Sequence, residues 1–231
     1  QVIPTAWIEA AQARRKPDGY KGFQMTAMGL DPAGGGRDAA ELAPRYGGWY
    51  APIITTKGAA TADGTISCAT VVKHRRDGCP VGVDVGGGFA GAVIERFKDN
   101  KIDYSRFNGA DGSTASAKQS GLRFANKRAE AWWRMREELD PDQEGGSAIA
   151  LPTDPELKAD LATPRWELKA SSIQIEAKDD IRKRLGRSPG KGDAVVIALS
   201  EGNKAAMRRW SGMDGRQPKV ILGYASAKKR R

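Results

Sequence analysis

The sequence predicts one α/β domain, a mixed sheet flanked by helices and carrying an inserted β-hairpin. Two observations lead there. Strand-like runs open the chain close together and are joined by glycine turns, as antiparallel neighbours are. Strand and helix patterns then alternate, the order that a parallel crossover requires. The 231 residues suffice for one large core.

Taken in order, Pro4–Arg15 reads as a helix with Trp7, Ile8 and Ala11 on one face. Phe23–Asp31 alternates and reads as the first strand. Asp38–Tyr46 and Gly48–Thr55 read as its antiparallel neighbours, with turns at Gly34–Gly36 and Gly47–Gly48. Gly64–Arg76 is helical behind Asp63, a suitable N-cap. Val81–Val85 is a short buried strand, Gly88–Lys98 a helix and Ile102–Asn108 a further strand. Residues 109–120 form a Gly/Ser/Ala-rich loop. Gly121–Leu139 is the strongest helical pattern, with Leu122, Ala125, Ala129, Trp132, Trp133 and Leu139 on one side. Asp154 caps a short helix to Ala162 with Pro155 in its first turn. Arg165–Leu168 and Ile173–Glu176 make the hairpin, and Ser188–Leu199 is the last helix. The order matches the ribonuclease H-like fold. The domain is expected over residues 1–202, with a basic extension over 203–231 that ends Lys228-Lys-Arg-Arg231.

Composition narrows the function. A net charge of +10 favours a polyanionic partner. Cys68, Cys79 and the single His74 are too few for a conventional zinc site or a disulfide framework. The chain reads as cytosolic with free thiols. No apolar run approaches the roughly 18 residues of a membrane span, and no signal peptide is evident. Because the chain starts at Gln1, a fragment or processed product is expected.

Three aspartates stand where strands or helices meet glycine loops. Asp31 ends Phe23-Gln-Met-Thr-Ala-Met-Gly-Leu30 and precedes Pro-Ala-Gly-Gly-Gly. Asp84 ends Val81-Gly-Val and precedes Val-Gly-Gly-Gly. Asp193 opens Asp193-Ala-Val-Val-Ile-Ala-Leu199 behind Gly186-Arg-Ser-Pro-Gly-Lys-Gly192. Carboxylates at the mouth of a sheet lie where ligands bind. Without imidazole or thiol they suit hard cations, Mg²⁺ or Mn²⁺.

Other motifs weigh less. Gly86-Gly-Gly88-Phe-Ala-Gly91 satisfies the dinucleotide fingerprint. It lies mid-chain, however, and Asp103 and Asp111 are poorly placed as its ribose acid. The glycines fit equally well as room for a phosphate backbone beside Asp84. Gly186-Arg-Ser-Pro-Gly-Lys191 is one residue short of a P-loop, so no ATP site is expected. The run from Lys178 to Arg187 reads either as a solvated helix end or as phosphate contacts beside Asp193. Those contacts would come from Lys178, Arg182, Lys183, Arg184 and Arg187, with Lys191 following. Lys127 and Arg128 are further candidates near the cleft. Trp132 and Trp133 read as packing residues.

Taken together, these segments resemble the nuclease domain of a phage large terminase, the DNA-packaging motor protein. The resemblance is carried by Ile3-Pro-Thr-Ala-Trp-Ile-Glu-Ala-Ala-Gln-Ala-Arg14, Gly29-Leu-Asp-Pro-Ala-Gly-Gly-Gly-Arg-Asp38 and Val81-Gly-Val-Asp-Val-Gly-Gly-Gly88. Phe124-Ala-Asn-Lys-Arg-Ala-Glu-Ala-Trp-Trp133 and Ile175–Pro189 extend it over about residues 1–200. It implies a two-metal endonuclease that cuts concatemeric DNA during packaging, with Asp31, Asp84 and Asp193 in the catalytic places: Asp31 would bridge two ions about 4 Å apart, and Asp84 and Asp193 would each hold one. Asp38 is a candidate fourth acid near the metals. Ser188-Pro-Gly190 departs from the Ser-Pro-Asp often found there. The resemblance also implies a packaging ATPase ahead of this domain, and a location in the host cytoplasm. Double-stranded DNA, the portal and the small terminase subunit would be its partners. An isolated domain is expected to be monomeric. The competing readings are a Holliday junction resolvase-like nuclease, preferring branched DNA, and a non-catalytic DNA-binding or portal-docking module. A nucleotide-cofactor enzyme ranks behind both.

Overall fold

The computed structural model describes the backbone of residues 1–213 and the side chains of residues 1–202. Its central sheet is built around β1 (Ala27–Asp31), which is buried along its whole length. On one side β1 pairs antiparallel with β2 (Ala40–Tyr46), and on the other parallel with β5 (Val81–Asp84). Short strands β3 (Trp49–Tyr50) and β4 (Ile54–Thr56) both pair with β2, and β6 (Tyr104–Phe107) runs parallel to β5 at the far edge. The mixed sheet read from the sequence is therefore present. The order β3-β2-β1-β5-β6 puts the two aspartate-bearing strands side by side.

Alternation along the strands sorts the core into two clusters. Met28, Leu30, Leu42, Val81 and Val83 face α2 (Thr65–His74) and α3 (Ala90–Asp99). The opposite face meets α7 (Gly190–Met213), which packs with α4 (Lys127–Leu139) and α5 (Pro155–Ala162). The entry helix α1 (Thr5–Arg14) joins this second layer. A second, three-stranded sheet is formed by the hairpin β8 (Trp166–Lys169) and β9 (Ser172–Ile175), with β7 (Arg123–Phe124) parallel to β9.

Two glycines seat α7 on the sheet. Gly29 and Gly82 are register partners on β1 and β5. A Cβ on Gly29 would run into the carbonyl oxygen of Ala194 and lie 2.6 Å from the Ala198 nitrogen. One on Gly82 would lie 2.7 Å from Ile197 Cγ2. Bare backbone at both positions lets α7 come down close to the strands. Asp31 is two residues past Gly29, and Asp84 two residues past Gly82. Each acid therefore points to the face that carries α7.

Several boundaries differ from the sequence reading. Gly121–Leu139 is not one helix: α4 begins at Lys127, and Asn126 caps it by accepting from the Ala129 N–H at 2.9 Å. Asn is a strong N-cap, and Gly121 is in the left-handed region at φ +67°, so the segment before α4 pairs as β7. Leu122 and Ala125 thus lie outside the helix. The basic run Lys178–Leu185 forms a helix of its own, α6, ended by left-handed Gly186. Helix α7 continues across the expected boundary at Gly202 to Met213. Residues 214–231 of the expected extension, including Lys228–Arg231, lie outside the described residues. Among the described residues no helix is long and apolar enough to cross a membrane.

Candidate active site

A cleft of about 630 Å³ opens where β1 and β5 end. Asp31 and Asp84 line it from the strands, and Lys178 and Arg182 from α6. Asp193, buried in the first turn of α7, completes the set. The three aspartates meet around one atom, Lys178 Nζ. That ammonium lies 3.0 Å from Asp193 Oδ2, 3.6 Å from Asp84 Oδ2, and 3.2 and 3.4 Å from the two oxygens of Asp31. Asp31 and Asp193 are buried.

Two of the carboxylates, Asp193 and Asp84, are held from behind. The Arg128 guanidinium donates to Asp193 Oδ1 at 2.8 Å, and Trp132 Nε1 donates to the same oxygen at 3.3 Å. Arg128 and Trp132 are one helical turn apart on α4, so one face of that helix delivers both. Asp193 Oδ2 is left buried without a hydrogen bond, with Lys178 as its ion-pair partner. The Gly86 N–H donates to Asp84 Oδ1 at 2.9 Å, which turns the other oxygen toward the cluster. Gly190 lies against Asp31: a Cβ there would come 2.9 Å from Asp31 Oδ2 and 3.0 Å from Glu41 Cγ.

Electrostatics follow from this crowding. Burial, reinforced by Asp193 and Asp84 and only partly offset by Lys178, pushes Asp31 up to about 8. Burial would raise Asp193 too, but Arg128 and Lys178 outweigh it and hold it down at about 2. Burial opposes the charge on Lys178, yet Asp193, Asp31 and Asp84 together raise its pKa above the usual lysine range. Three carboxylates in this space require compensating positive charge, which Lys178 and Arg128 supply here.

The donor set fits a hard divalent cation: all oxygen, at least one buried oxygen free of hydrogen bonds, and an excess of negative charge once Lys178 withdraws. Lys178 stands at the first residue of α6 with a third of its side chain exposed, so solvent is open to it. Among the described residues no group of three or more His, Cys, Asp or Glu side chains is arranged to hold a metal ion; the three aspartates surround the Lys178 ammonium. His74, Cys68 and Cys79 do not line the cleft.

The other residues singled out in the sequence divide into two groups. Arg182 and Arg128 line the cleft, as does Arg37 from the glycine loop after β1. Asp38 also lines it but pairs with Arg182 at 2.7 Å rather than joining the three acids. Away from the cleft, Lys127 pairs with Glu130, Lys183 with Asp180 and Arg184 with Glu176. Arg187 pairs with buried Asp160, and Lys191 with Asp154 and Glu156. The sequence reading missed that Lys178 and Arg128 belong to the acid cluster. It also missed Glu41, a buried acid directly opposite Asp31 in the β1–β2 register. The spacing of Arg128 and Trp132 on one helical face was the available signal for the former.

No protein-family model matches the sequence, and no curated protein matches it. Solved structures do match. The nuclease domain of the large terminase subunit gp2 of bacterial virus Sf6 superposes with a TM-score of 0.64 at 23% identity, over 86% of this chain and 97% of that one. This chain has the fold of a phage terminase nuclease domain. A mutant of the Sf6 domain with manganese and beta-thujaplicinol gives a TM-score of 0.66 at 21% identity, over 86% and 97% of the two chains. A mutant gp2c of the Sf6 large terminase subunit with calcium gives 0.63 at 20% identity, over 86% and 98%. The ribonuclease H-like class read from the element order agrees with these terminase folds.

Proposed function

We propose that this chain is a divalent-metal-dependent DNA endonuclease domain of a phage large terminase, cutting viral DNA concatemers during genome packaging. The observation that carries the proposal is the convergence of Asp31, Asp84 and Asp193 on one point in a cleft rimmed by arginines. The solved Sf6 domains with manganese or calcium support the choice of cation.

Asp31, Asp84 and Asp193 would hold Mg²⁺ or Mn²⁺, two ions in the reading preferred here. Such ions supply Lewis-acid stabilisation of phosphoryl charge and a nucleophilic water at neutral pH. The chain's own groups do the rest. Asp31 presents both oxygens to the centre of the cluster, which suits it to be shared between ions. Arg128 and Trp132 fix Asp193, and the Gly86 N–H fixes Asp84, so neither carboxylate has to be ordered when DNA arrives. Lys178 balances the acids until a cation replaces it. Arg182 and Arg37 grip phosphates of the DNA. These contacts carry no base information, so cutting should show little sequence preference.

Nicking of supercoiled plasmid tests the reading. Activity should need Mg²⁺ or Mn²⁺ and stop with EDTA. Asp31→Asn, Asp84→Asn and Asp193→Asn should each nearly abolish it while circular dichroism stays native. Near-normal cutting by Asp31→Asn would sink the assignment.

A further inference from the structure

The described residues expose one aromatic ring inside the cleft, that of Phe89, which is 57% accessible. Phe107 also lines the cleft but is buried. An exposed phenyl ring among ion pairs leaves apolar surface in water. Here the ring is also held. It lies between the two glycine loops that follow Asp31 and Asp84. A Cβ on Gly34 would run into its Cδ1 edge, and one on Gly87 would come 3.3 Å from Cδ2. Side chains at either position would crowd the ring, so glycine in both loops gives it a fixed seat. Resting on the nuclease reading, we propose that Phe89 is a positioning residue. It stacks on a nucleobase of the DNA strand in the cleft and so holds the adjoining phosphate over the three aspartates.

The chemistry favours a base over other occupants. The cleft carries Arg37 and Arg182 for phosphates, so a strand lying along them brings its bases to the same walls. Every base has a π-face, so stacking adds affinity without sequence readout. The base must leave its neighbours to reach the ring, which predicts a preference for cutting where pairing is already weak.

DNA duplexes carrying 2-aminopurine at successive positions, fully paired or with one mismatch, test this in Ca²⁺. With the unmodified protein, one position should show the fluorescence change of a base moved from its stack onto a ring. The mismatched duplex should bind more tightly there. Phe89→Leu keeps an apolar side chain and should keep the fold. It should lose the signal, weaken binding about tenfold, and erase the mismatch preference. With Mn²⁺ its defect should lie in KM more than kcat. Phe89→Trp should restore all of these, and Gly34→Ala, which displaces the ring, should resemble Phe89→Leu. If Phe89→Leu binds, signals and cuts like the unmodified protein, the stacking role is overturned and the nuclease reading stands. If the unmodified protein binds no DNA, both fall. Self-association that disappears in Phe89→Leu, with DNA binding unchanged, would show that the ring serves a protein contact and overturn the proposal.

Discussion

Gly29 and Gly82 face one another across the parallel pair β1–β5, and both leave room for the same helix. Their lack of side chains sets how closely α7 approaches, and hence where Asp193 stands relative to Asp31 and Asp84. Gly29→Ala would push a methyl into the α7 backbone, which cannot rotate away. Gly82→Ala would meet side-chain atoms first, the Ile197 Cγ2 methyl at 2.7 Å and Glu201 Cβ at 3.3 Å. Both should destabilise by about 1–3 kcal/mol, with Gly29→Ala at or above the upper end. Urea unfolding measures the cost. Equal costs, or none, would show that α7 is not seated as described.

The acids are legible in the sequence because each stands beside a glycine loop, and the antiparallel pairing of β1 with β2 follows from turn spacing and alternation, whereas the segment after Gly48, read as a further neighbour of the first strand, pairs with β2 instead. Their exact surroundings are not legible. Nothing in the string Lys178–Arg187 distinguishes Lys178, which reaches the acids, from Arg184 and Arg187, which are tied to Glu176 and Asp160. All are basic residues on or just after one short helix, and the direction each points depends on where α6 lies against β1. The start of α4 was hidden for a different reason: the apolar positions Leu122 and Ala125 keep helical phase with the helix that Asn126 begins.

Glu41 gives a stability prediction with a defined sign. Burial, only partly offset by the Thr55 hydroxyl, pushes its folded pKa up to about 7 from the ordinary value of 4.5. The folded state therefore resists its ionisation. This penalty is absent at pH below 4.5, grows through the interval, and is complete above 7. Glu41→Gln keeps an acceptor for Thr55 and removes the charge. Its melting temperature should exceed that of the unmodified protein at alkaline pH, and the difference should vanish in acid. A difference independent of pH would show that Glu41 does not titrate in this range.

Lys178→Ala should expose the competition between the ammonium and a metal. Without the lysine, three carboxylates face one another with only Arg128 beside them, so the metal-free protein should melt lower. Added Mn²⁺ should then raise its melting temperature more than it raises that of the unmodified protein, because no internal cation has to be displaced. For the unmodified protein the Mn²⁺-induced rise should grow as pH increases toward 8, since Asp31 gives up its proton in that range. Calorimetry with and without Mn²⁺ measures both. An equal Mn²⁺ effect in the two proteins would mean that the lysine and the cation do not share a place.

Arg182 and Arg184 lie two residues apart on α6 and should behave differently toward DNA. Arg182 lines the cleft and meets only Asp38, with half its side chain exposed. A phosphate can take it over at the cost of one exposed ion pair, worth about 1 kcal/mol or less. Arg184 forks onto Glu176, with a 2.7 Å bond from Nη2, and also donates to the Thr163 carbonyl at 2.8 Å, outside the cleft. Arg182→Ala should weaken binding to all DNA sequences alike and reduce the slope of log K against log salt by roughly 1. Arg184→Ala should leave both nearly unchanged and instead lower stability by about 1 kcal/mol or less. Fluorescence anisotropy over a salt series separates the two. If Arg184→Ala flattens the salt dependence while Arg182→Ala does not, the DNA runs over the outer face of α6 and not through the cleft.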